Sequence, residues 1–122
     1  MYHGILLDRA FSDTHAVSDN FLVFARKISQ LLGAIYGVEI EEVPITLAIQ
    51  KLQDLMKADQ PLYVHLYNET EVIVVFKYQY FVMSRDPRSW APAIEYGLSL
   101  GIPKEQLNFK PNSFEDEEEY FC

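Results

Sequence analysis

An α+β fold is predicted, with a mainly antiparallel sheet of about five or six strands and two or three helices packed on it. Three observations predict it. Residues 61–84 (PLYVHLYNETEVIVVFKYQYFVMS) read as three consecutive strands. Residues 45–56 carry an apolar stripe at helical spacing, and residues 89–100 carry a second. The chain has 122 residues, with 49% hydrophobic and 14% aromatic content. A single domain of that size buries about two-thirds of its extended surface, enough for a core without disulfides or metal.

In chain order, residues 2–7 are a short apolar run that ends at Asp8-Arg9, and they give a first strand. Residues 11–20, rich in Ser, Asp, Thr and Asn, read as a loop. Residues 18–32 support two readings. A helix capped by Ser18 would bury Phe21, Phe24, Ala25, Ile28, Leu31 and Leu32, and Gly33 would stop it. A strand would use residues 21–28, where Phe-Leu-Val-Phe favours β structure. Residues 34–40 are a strand in either case.

In the helix at 45–56, Ile45, Ala48, Ile49, Leu52, Leu55 and Met56 recur at three- and four-residue steps. Gln50, Lys51, Gln53 and Asp54 take its wet side. Pro44 suits a first helical position, and Glu41 and Glu42 suit the positive end of the helix dipole.

Next, Leu62, Val64 and Leu66 alternate with Tyr63, His65 and Tyr67, the period of a strand. Residues 72–76 are apolar on both faces, as in a strand covered on both sides. Asn68-Glu69 makes one turn, and a second near Tyr78-Gln79 leads into the third strand of the block. The last helix buries Trp90, Ala93, Ile94, Gly97 and Leu98, and Gly101-Ile102-Pro103 ends it. Residues 1–114 therefore read as one domain and residues 115–122 as an acidic tail.

The formal net charge is −8, and without the five acids from Glu115 to Glu119 it would be −3. No basic stripe with interleaved aromatics exists, so nucleic acid is not an expected partner. There is no run of 18 apolar residues and no basic-then-apolar leader, and the single cysteine, Cys122, allows no intrachain disulfide. A cytoplasmic protein without membrane association is expected.

His65 lies between Tyr63 and Tyr67 on one strand face, taken to be half-wet. There it is a candidate general acid or base titrating at about pH 5 to 8, or simply a packing neighbour. His3 and His15, with Asp8 or Asp13, lack the short spacing of metal sites, so no metal or cofactor is expected. Arg85 and Arg88 flank the start of the last helix, where they would suit a phosphate or carboxylate. The plainer reading there is that Asp86 or Ser89 caps the helix.

Phosphate-cradling glycine loops and nucleophile elbows are missing, and no catalytic residue is assigned. The acidic tail is bracketed by Phe114, Tyr120 and Phe121, a composition that docks on basic, partly apolar surfaces or else stays solvated. The expected function is non-catalytic binding of another macromolecule, of regulator or inhibitor type, the partner being a protein with a basic surface. The alternative is a small enzyme or ligand-binding domain with a cleft near His65, Arg85 and Arg88.

Overall fold

Val72, Ile73, Val74 and Val75 have no polar face to show to water, so their strand must lie inside a sheet with a layer on each side. The computed structural model, which describes residues 1–121 apart from 14 and 42, places it there. Glu42, assigned above to a helix dipole, and the terminal Cys122 lie outside the described residues. The strands are β1 (Tyr2–Leu7), β2 (Leu22–Ser29), β3 (Gly33–Ile40), β4 (Tyr63–Tyr67), β5 (Glu71–Phe76) and β6 (Tyr80–Ser84). They form one six-stranded sheet in the order β2-β3-β1-β4-β5-β6, and every neighbouring pair is antiparallel. The helices are α1 (Ala16–Asn20), α2 (Thr46–Leu55), α3 (Ala91–Ser99) and α4 (Phe114–Tyr120). The α+β expectation holds.

The ambiguous segment is a strand. Its helical stripe was no core signal, because Phe24, Ile28 and Leu31 are 39%, 62% and 72% exposed. Pairing with β3 along most of its length decides the outcome: a helix would have left β3 as a bare edge. The preceding residues, read as loop, contain α1, which buries Ala16 and Val17.

One face of the sheet carries α2. Its Ala48, Ile49 and Leu52 join Leu6, Val38, Val64, Leu66, Ile73 and Val75 in a continuous core. The opposite face holds Ile5, Ile35, Tyr67, Val74 and Phe76, covered by Trp90, Ala93, Ile102, Leu107 and Phe109. After α3 the chain turns at Gly101 (φ 90°), where the Ile102 N–H donates to the Gly97 carbonyl at 3.1 Å. That left-handed stop returns the C-terminal segment across the second face of the sheet.

The acidic segment read as a tail carries a helix. Residues 114–120 form α4, capped where the Ser113 hydroxyl accepts from the Asp116 N–H at 3.0 Å. Glu115, Asp116 and Glu117 occupy its first turn, where the helix dipole favours negative charge.

Candidate functional site

The face of β4 bearing Tyr63, His65 and Tyr67 is where the C-terminal segment is fastened. Each alternate residue takes one point of it. The Tyr63 hydroxyl donates to the Gln106 carbonyl, His65 Nε2–H donates to the Pro111 carbonyl at 2.7 Å, and the Tyr67 hydroxyl donates to the Glu117 carboxylate. Between these points Phe109, in the left-handed backbone region (φ 51°), buries its ring edge-on against Tyr63. A non-glycine residue holds that conformation only when its surroundings fix it.

The expected half-wet face is therefore covered, and His65 is only 4% exposed. Burial lowers its pKa from 6.5 to about 4, partly opposed by the Pro111 carbonyl. A ring that stays neutral through the physiological range is not the titrating base the sequence suggested. Burial also pushes up the Tyr67 hydroxyl, and the Glu117 carboxylate adds to the effect.

This has a pH consequence. Above about pH 6.5 neither the folded nor the unfolded chain protonates His65, and the folded state keeps its full advantage. As the pH falls from 6.5 towards 4, the unfolded chain takes up a proton that the folded chain refuses. Stability is then lost, by about 3 kcal/mol across that window. NMR of the imbedded imidazole gives the check: a ring silent from about pH 5 to 8 is expected, and one titrating near its ordinary value would contradict the burial.

Glu117, inside the acidic run, is the residue that sequence reasoning missed. It is buried, and both its oxygens lie 2.8 Å from His3 Nδ1. The His3 ring is flanked by Phe24 and Phe114, with ring centres 4.7 and 4.5 Å away, and its Nε2 is buried without a partner. The signal was present in the spacing. Phe114, Glu117, Tyr120 and Phe121 stand at three- and four-residue steps, one face of a helix.

With that face turned inward, Glu115, Asp116, Glu118 and Glu119 are all exposed. The helix starts over β1 and β4, where Phe114 and Glu117 meet His3 and Tyr67, and only its C-terminal end reaches the edge strand β2. Phe121 meets Phe24 of β2 at 6.1 Å between ring centres, and Lys27 Nζ donates to the Tyr120 carbonyl at 3.1 Å. Gly37 makes this contact possible, since a Cβ there would come within 2.8 Å of the Phe24 ring and 2.9 Å of the Phe121 ring. On β2, the terminal strand, Leu22 and Phe24 remain open to solvent.

Arg85 and Arg88 lie elsewhere. Asp86 caps the turn Pro87–Trp90 by accepting from the Arg88 N–H, and its carboxylate also holds the Arg88 guanidinium at 2.7 Å. That exposed pairing lowers the Asp86 pKa and raises that of Arg88. Neither arginine reaches the cleft that His65 lines, a space of about 300 Å³ between β1, β4 and the C-terminal segment.

Among the described residues, no group of three or more His, Cys, Asp or Glu side chains is placed to hold a metal. No described helix is long and apolar enough to cross a membrane. No family model, curated protein or solved structure matches this chain.

Proposed function

We propose that this chain is a non-catalytic protein-binding domain of regulator or inhibitor type, acting in the cytoplasm on a partner with a basic, partly apolar surface. One observation carries the reading. Glu117 is spent on holding α4 to the sheet, which leaves Glu115, Asp116, Glu118 and Glu119 outward in fixed positions. A flexible acidic tail would lose conformational freedom on docking, whereas carboxylates already ordered on a helix lose little. Past the C-terminal end of α4, where Phe121 meets Phe24, the open edge of β2 and the exposed side chains of Leu22 and Phe24 supply apolar contact and unpaired backbone groups. Opposite charge would steer the partner, and the apolar strip would hold it.

The test is a comparison of wild type with a quadruple variant, Glu115→Gln, Asp116→Asn, Glu118→Gln and Glu119→Gln, in pull-downs at low and high salt. The variant keeps Glu117 and so keeps the fold. Partners bound by wild type at low salt should be lost both in the variant and at high salt. An identical, salt-insensitive set bound by both proteins would remove α4 from the mechanism.

A further inference from the structure

We infer that the cleft beside His65 is a binding site for a small uncharged amphipathic molecule, an alcohol, phenol or indole of one or two rings, whose O–H or N–H donates to His65 Nδ1. This inference is independent of the docking surface on α4.

The tautomer follows from the hydrogen bond on the other nitrogen. A carbonyl can only accept, so Nε2, 2.7 Å from the Pro111 carbonyl, must carry the proton. In the neutral ring Nδ1 is then a bare acceptor, and burial keeps the ring neutral. Among the described residues no group donates to Nδ1. The buried polar side-chain atom left without a partner, among the described residues, is His3 Nε2. His65 is 4% exposed and lines the cleft, so the cleft is where a donor can reach the ring.

The walls select the rest of the ligand. Ile5, Leu7, Leu32, Leu62 and Ile102 make the interior apolar, so a charged group would lose its hydration there without a partner. At the margin Glu105 and Lys110 carry opposite charges, which gives no net attraction to either sign of ion. A space of about 300 Å³ is at the small end of ligand pockets, which limits the occupant to one or two rings. The site is also preformed. Tyr63 is bonded to Gln106, and Phe109 is locked between Asn108 and Lys110 by its buried ring.

Isotope-labelled protein titrated with 1-naphthol and, separately, with 1-methoxynaphthalene provides the test. The two probes share a ring system, but only the first has a donor. Naphthol should shift the resonances of His65, Leu32 and Leu62 and bind about tenfold more tightly than the ether, the effect of one buried hydrogen bond. Leu31→Trp, at a position 72% exposed on the rim, should weaken naphthol binding by filling the mouth while leaving the remaining spectrum unchanged. Equal affinity for the two probes, shifts centred away from His65, or naphthol binding unaffected by Leu31→Trp would each overturn the assignment, as would the absence of binding by either probe.

Discussion

Replacing Glu117 by alanine should cost about 3 kcal/mol of folding stability, far more than removing any other acid of the C-terminal run. The Tyr67 hydroxyl is fully buried and donates to this carboxylate, and His3 Nδ1 lies against both its oxygens. Deleting the acceptor strands two buried polar groups at once, each costing about 1–3 kcal/mol when left unmade. The same change frees α4 from β1 and β4, so the Phe24–Phe121 contact at the sheet edge is weakened with it. Glu119→Ala, on the exposed face two positions later, should change stability by less than about 0.5 kcal/mol. Urea melts of the two variants make the comparison. A Glu117→Ala protein as stable as Glu119→Ala would mean that the carboxylate is not an anchor.

Leu52→Ala should cost about 2–5 kcal/mol, the range for a leucine truncated in a close-packed core. Leu52 is wholly buried at the middle of the inward stripe of α2, in the core that includes Val64, Ile73 and Val75. The upper part of the range is expected because α2 cannot settle into the cavity. Next in sequence, Gln53 Nε2 donates to the Phe76 carbonyl at 3.0 Å and Lys77 Nζ donates to the Gln53 carbonyl at 2.5 Å. Both bonds are made at Gln53, directly after Leu52, and they tie that turn of the helix to the end of β5. Denaturant midpoints would settle the matter, and a loss below about 0.5 kcal/mol would place Leu52 at the surface.

The central strands and α2 were legible because each has a single period that only one structure can bury. Val72 to Val75 had to be inside a sheet, and the stripe from Ile45 to Met56 had to face one. Residues 18–32 were not legible, because Phe24, Ile28 and Leu31 happen to repeat at helical spacing on an edge strand whose side chains are half exposed. Burial, not period, distinguishes the two, and burial is set by β3. The site was half legible. The alternation of Tyr63, His65 and Tyr67 marked the right face, but what covers it comes from residues 104–121, far along the chain. Charge misled the reading of that cover: five consecutive acids suggest a solvated tail, and a carboxylate joins a core only where partners such as His3 and Tyr67 await it. Those partners are 114 and 50 residues away, beyond any local pattern.

The C-terminal acids form a fixed surface on a folded helix, and ¹⁵N relaxation of the backbone measures that rigidity residue by residue. Amides of α4 should show order parameters of about 0.85, equal to those of β4, because Glu117 ties the two together. Values below about 0.6 across residues 114–120 would describe a flexible tail and contradict the claim.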